Sequence, residues 1–270
     1  MRTDTIFYSL FQVFPTLLFE LIGVPSNIAL DIAENYEFSS REIKELSRRF
    51  DGLFIPQGES ATEIIYFVEV QFQAKPDFYR RLFAEIFSYL GQYQTENNWC
   101  AVAIFSTRSL DPGLSIHYVE LQPKLRVVYL DELIINQNLP ISLGIVQLVV
   151  DSREEAIEKT PRLLQRVREE IADPNQWRKI LDLIETVLVY KFTDLSREEL
   201  ETMFSLSDLK QTKVYQEAKI EGKLEGKIEG KLELLPKLLA AGLSVEQVAQ
   251  ILEVDLDVVT SQVGQEGARE

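Results

Sequence analysis

Residues 50–73 read FDGLFIPQGESATEIIYFVEVQFQ, and the interpretation of this stretch decides the fold. Ile64-Ile65-Tyr66-Phe67-Val68 is the apolar block of a buried strand, and Glu69 and Gln71 follow it two residues apart. Side chains i and i+2 of a strand share a face, so Glu69, Gln71 and Gln73 are expected on one side and Val68, Val70 and Phe72 on the other. The polar groups therefore emerge where the strand ends. Asp51 sits in an earlier apolar run, Phe50 to Ile55, which is followed by the turn-rich Pro56-Gln57-Gly58-Glu59-Ser60. The pattern is that of a hairpin with an acid on each arm.

The 270-residue chain is 46% hydrophobic, enough to bury a substantial core in one moderate domain with an accessory part. No apolar run approaches the roughly 20 residues that span a bilayer, and Met1-Arg2-Thr3-Asp4 opens no secretory leader, so a cytoplasmic protein without a membrane partner is expected. The single cysteine, Cys100, lies in an apolar strand pattern and reads as core. A single histidine, His117, in an alternating segment, excludes a His/Cys zinc cage and makes a Ser-His-Asp triad unattractive. Glycine-rich phosphate loops and nucleophile elbows are missing as well. Carboxylates remain as the chemistry-bearing groups.

A formal charge of −15 argues against an extended nucleic-acid coat, since phosphate contacts require Lys and Arg. Positive charge is nevertheless concentrated beside the acids, at Arg41, Lys44, Arg48 and Arg49 before Asp51 and at Lys75, Arg80 and Arg81 after Gln71. Such a strip suits an anionic substrate meeting a metal.

Apolar spacing predicts a helical opening over residues 4–22, interrupted by Pro15, then strands over 36–47, 48–55 and 63–73. A helix beginning at Pro76-Asp77 carries the core stripe Phe78, Leu82, Phe83, Ile86, Tyr89, Leu90 and Tyr93. Further strands are expected at 99–106, 114–120, 125–130 and 145–150. Beyond residue 150 the texture is helical, with helices over 153–171, 175–190 and 197–204, the last opened by a Ser196/Glu199 capping box. The organisation read from this is 1–150, a helical extension over 151–210, a repeat helix over 211–235 and a short helical tail over 236–270.

The repeat runs KIEG-KLEG-KIEG-KLE from Lys219 to Glu233. A period of four stacks like residues into separate Gly, Lys, Glu and Ile/Leu rows that drift around the axis. Like charges at i,i+4 and three glycines weaken an isolated helix. Either the apolar and glycine rows pack on a partner helix, giving a homo-oligomer, or the segment is a solvated tether. The tail resembles a helix-turn-helix with Ser244 and Asp255 as N-caps, yet its recognition position carries Asp255 and Asp257 and no cation, which favours a packing unit over a DNA reader.

A divalent cation that activates water needs oxygen ligands on stiff elements with open positions left for substrate. Asp51, Glu69 and the Val70 carbonyl could supply them, and Gln71 could reach the attacking water; a polar strand face in solvent is the alternative. The order of elements, a helix, three antiparallel strands with Asp on the second and Glu-x-Gln on the third, then a crossover helix, resembles the core of the PD-(D/E)XK nucleases. Arg41-Glu42-Ile43-Lys44, Arg48-Arg49-Phe50-Asp51-Gly52, Tyr66 to Gln71, Pro76 to Leu82 and the Glu-Gly-Lys repeats look like the Rpn/YhgA-like transposase branch, described as recombination-promoting nucleases.

The resemblance implies an α/β fold, a restriction-endonuclease-like mixed central sheet flanked by helices, followed by a helical C-terminal region. It implies a magnesium-dependent endonuclease acting on DNA, with manganese or calcium able to substitute for magnesium. Its metal ligands fall on Asp51 and Glu69, with Glu20 on the first helix as a further acid. Its catalytic lysine position falls on Gln71 and its helix arginine on Arg81 or Arg80, and Lys75 and Arg49 are expected as further phosphate contacts. Two departures stand out: no proline precedes Asp51, and glutamine replaces lysine. A catalytically silent nuclease fold kept for interaction or oligomerisation is the competing expectation.

Overall fold

The computed structural model describes residues 3–39, 50–58, 62–133, 139–193, 196–204 and 212–266. At its centre is one mixed sheet of five strands in sequential order: β1 (Tyr36–Ser39), β2 (Gly52–Pro56), β3 (Ile64–Gln71), β4 (Asn98–Phe105) and β5 (Leu125–Tyr129). The first three strands are antiparallel neighbours, whereas β3, β4 and β5 run parallel. A parallel pair needs a crossover, and helix α4 (Phe78–Tyr93) provides it between β3 and β4. The α/β expectation of a mixed sheet with flanking helices and a helical C-terminal region is met.

Alternation along β3 assigns each face its cover. Ile65 and Phe67 join Leu82, Phe83, Ile86 and Tyr89 of α4 in one buried cluster, with Phe67 and Tyr89 ring centroids 5.1 Å apart. Tyr66 faces the opposite layer, where Phe19 of helix α2 (Leu17–Leu21) meets it edge-on at 5.7 Å. Helix α1 (Thr3–Val13) covers the same side through Phe11, which packs on Phe54 of β2 at 5.4 Å. Gly52, directly after Asp51, leaves room for this packing: a Cβ would stand 3.2 Å from both the Phe11 ring and Val68, tighter than ordinary contact. The split of β3 into two faces is thus the one its sequence pattern anticipates.

Helix α3 (Ser26–Ala33) follows the turn at Gly23, whose φ of +90° suits glycine, and was not anticipated. The strand expected over 36–47 is described only as β1, because residues 40–49 lie outside the described residues. Two expected strands are helical instead. Residues 114–120 enter a 3-10 segment, Ile116–Lys124, that contains Pro123 and leaves Ile116 82% exposed, so their alternation never marked a buried face. His117 is exposed in that segment. Residues 145–150 belong to helix α5 (Ile141–Val150), which is buried nearly all round; a continuous apolar run cannot separate a buried strand from a buried helix by periodicity.

Helices α6 (Arg153–Glu170), α7 (Pro174–Lys191) and α8 (Arg197–Met203) follow. Helix α7 packs against α1, and α6 against α5 and α8. The expected Ser196/Glu199 capping box opens α8, and Glu199 also forms a paired hydrogen bond with Arg153 at 2.9 and 2.7 Å. Residues Met1–Leu209 form one compact unit and Lys210–Glu270 a second. The second contains the repeat helix α9 (Lys213–Leu232), then α10 (Leu235–Ala240), α11 (Val245–Leu252) and α12 (Leu256–Glu266). Ser244 caps α11 in a capping box with Gln247, and Leu235, Val248, Leu252 and Val259 form a small core. Among the described residues no helix is long and apolar enough to cross a membrane.

Candidate functional site

The parallel register places Gln71, Phe105 and Tyr129 side by side, so β3, β4 and β5 end at one edge of the sheet. The carboxyl edge of parallel strands is where open α/β sheets commonly bind ligands. Asp51 comes to this edge from β2. Gly52 pairs with Val68, and one residue earlier the Asp51 carboxylate takes over from the backbone ladder: its Oδ2 accepts the Val70 N–H at 2.8 Å. That bond fixes Asp51 beside the neighbouring side chain of β3, Glu69, and the two carboxyls are hydrogen-bonded to each other.

Helix α4 completes the group. Phe78, Leu82 and Tyr89 face the sheet, and Glu85 falls in the middle of this apolar stripe, where it is only 6% exposed. Burial pushes the Glu69 carboxyl well above the ordinary carboxylate range, and the negative charges of Asp51 and then Glu85 push it the same way; Arg81, one helical turn before Glu85, offsets this only in part. Part of Glu69 nevertheless remains open to solvent. The arrangement is a carboxyl pair with a third acid close enough to act on it, and Glu69 is reachable from outside.

Arg81 lies 3.7 Å from Asp77 through Nε, an atom that is buried and makes no hydrogen bond. Arg80 points into solvent with Asp77 at 3.8 Å, and Lys75 lies in the loop that leads from β3 into α4. Gln71 is 6% exposed, and its amide Nε2 donates to the Gln73 carbonyl at 2.6 Å, which holds the end of β3. Glu20 sits in the opposite layer, where it accepts a hydrogen bond from Ser142 of α5, and it is not among the groups whose charge acts on Glu69. Arg49, with Arg41, Lys44 and Arg48, lies outside the described residues. The structure thus brings together Asp51, Glu69 and Arg81 and adds Glu85, which the sequence reading missed. The available signal was an acid at the centre of an otherwise apolar helical stripe.

Asp111, in the loop after β4, accepts from the hydroxyls of Tyr79 at 2.9 Å and Tyr129 at 2.6 Å and from the Gly113 N–H at 2.9 Å. Burial, and then the bond to Asp111, push the Tyr129 phenol up to about 12. This node ties α4 to β5 at the same edge and keeps that loop in place. Cys100 is buried, and burial pushes its thiol up, in keeping with a core residue.

Among the described residues no three His, Cys, Asp or Glu side chains form a metal cage by themselves. A cation at this edge would therefore be held by Asp51 and Glu69 with the Val70 carbonyl, and its remaining positions would be left to water and substrate. The donors fit a hard divalent ion: all are oxygens, and two carboxyls held against each other favour either a proton or a cation between them.

Unfolded, Glu69 titrates near 4.5; folded, it keeps its proton to higher pH. In that window the native state binds more protons than the unfolded chain, so stability falls as pH rises. Glu199, held down to about 2, acts in the opposite sense and below this window. In chelator, the melting temperature is expected to fall as the pH rises above 4.5, Glu69→Gln to flatten that fall, and magnesium to raise the melting temperature of the wild type but not of Glu69→Gln. Equal pH profiles for wild type and variant would show that the carboxyl pair carries no such strain.

Fold and site together define an α/β protein with a mixed five-stranded sheet and a carboxyl pair at the parallel strands' carboxyl edge. A family model described as a protein of unknown function (DUF2887) matches residues 3–204, and the chain belongs to that family. No curated protein and no solved structure matches it.

Proposed function

We propose that the chain is a metal-dependent DNA endonuclease of the PD-(D/E)XK kind, close to the Rpn/YhgA-like branch. The observation that carries this reading is the Asp51–Glu69 carboxyl pair, supplied by adjacent strands and flanked by Arg81. Bound magnesium would supply a water of lowered pKa and neutralise charge on the scissile phosphate. Asp51 and Glu69 would hold that ion, with Asp51 kept in place by the Val70 N–H at 2.8 Å, and Arg81 with Lys75 would steady the phosphate. Glu85, itself buried, adds negative charge that favours a proton on Glu69, and a bound cation would offset the same repulsion. DNA as partner and a cytoplasmic address belong to the same proposal.

A silent nuclease fold is the second reading, favoured by the engagement of the Gln71 amide with its own strand end in place of a lysine. Supercoiled plasmid incubated with purified protein separates the two. Nicking that appears with magnesium or manganese and stops with chelator supports the nuclease. No nicking at high protein concentration, with melting behaviour intact, supports the silent fold.

A further inference from the structure

Helix α9 is a continuous 20-residue helix (Lys213–Leu232), yet Gly222, Gly226 and Gly230 each face open space and Ile220 is 67% exposed. A helix of this length with three glycines and like charges four apart is marginal in isolation. Its C-terminal end has cover within the chain: Leu232 packs on the small core, and Lys231 Nζ donates to the Glu253 carbonyl at 3.1 Å. Toward the N-terminus the apolar row leaves this cover. Ile228 lines an open groove with Val254, Leu256 and Val258, and Ile220 stands in solvent.

Helix geometry decides what fits this row. At about 100° per residue, the order around the axis is Gly, Lys, Ile/Leu, Glu, so the glycine row lies opposite the apolar row and cannot share its contact. The apolar row is instead bordered by Lys219, Lys223 and Lys227 on one side and by the Glu221, Glu225 and Glu229 positions on the other. When two such helices meet through their apolar rows in the same direction, the lysine border of each faces the glutamate border of the other. Met in opposite directions, lysine faces lysine and glutamate faces glutamate. We infer that α9 is a self-recognition element, in which the apolar row of one chain covers that of a second copy in parallel, with unlike borders opposed. Because the row drifts by about 40° per repeat, the two helices cross along their i±4 ridges and do not wrap into a long coiled coil. The inference is independent of the nuclease proposal.

The test uses the full chain in sedimentation equilibrium over a wide concentration range. Wild type is expected to dimerise. A Lys219→Glu/Lys223→Glu/Lys227→Glu variant and a Glu221→Lys/Glu225→Lys/Glu229→Lys variant are each expected to associate at least tenfold more weakly, and an equimolar mixture of the two to recover the dimer. Gly222→Ala/Gly226→Ala/Gly230→Ala should raise helicity by circular dichroism and leave the dimer intact. Ile220→Cys should cross-link to its own copy with a short bifunctional thiol reagent, since the native Cys100 is buried. A wild type that stays monomeric, charge variants that associate like wild type, a mixture that fails to recover, a dimer lost on glycine replacement, or Ile220→Cys that stays uncross-linked in a dimer would each overturn the parallel pairing.

Discussion

Glu69→Gln is expected to lower metal-dependent nicking by at least about 10³-fold and, at neutral pH in chelator, to melt higher than wild type. Loss of a single oriented electrostatic group in an active site costs about 10²–10³ in rate, and a ligand that holds the activating cation should cost no less. The gain in stability has a separate cause. Glu69 is pressed by burial and by the charges of Asp51 and Glu85, so a neutral amide of the same shape relieves the native state. Asp51→Ala should abolish nicking as well but melt lower than Glu69→Gln, because it removes the acceptor of the Val70 N–H and leaves that donor near the strand end without its 2.8 Å partner. The two substitutions therefore act alike on activity and unlike on stability. Full activity in either variant would refute the assignment of the pair. Equal melting of the two would show that the Val70 bond contributes nothing.

The legible part of this fold was the part set by period-two alternation over a two-sided sheet. Ile65 and Phe67 face α4 and Tyr66 faces α2, as the parity of β3 requires, and Asp51 and Glu69 meet because consecutive antiparallel strands place them in adjacent register. What escaped the reading came from contacts distant in sequence. The Ile141–Val150 run is helical because helices α2, α6 and α7 surround it, which no local pattern records. Glu85 was overlooked because a helical stripe is read for its apolar members, and one buried acid among them becomes informative only when the strand opposite carries another. The direction of the Gln71 amide depends on the turn that offers the Gln73 carbonyl, which strand parity does not record.

That amide sets the most exacting expectation. On the proposed nuclease reading, a lysine at the Gln71 position would both orient the attacking water and offset charge on the phosphoryl oxygens. An amide can orient water but brings no charge, so on that reading Arg81 and the cation would have to carry the electrostatics. Gln71 follows Glu69 by two residues at the end of β3 and donates one hydrogen to the Gln73 carbonyl at 2.6 Å. Gln71→Ala is therefore expected to slow single-turnover cleavage by about 10²–10³, with the magnesium-induced rise in melting temperature preserved because Asp51 and Glu69 remain. Gln71→Lys should keep measurable activity, since it places a positive charge two residues from Glu69 on β3. Gln71→Glu should fail twice: it loses the donor to the Gln73 carbonyl, and it adds a negative charge where Asp51 and Glu85 already press on Glu69. Its melting temperature in chelator should drop below that of wild type, and its cleavage should be undetectable. The measurement is cleavage of a labelled duplex by the three variants at saturating magnesium, alongside thermal melting with and without the metal. If alanine and wild type cleave at one rate, the amide serves only to hold the end of β3, and water positioning must be sought elsewhere along the strand edge.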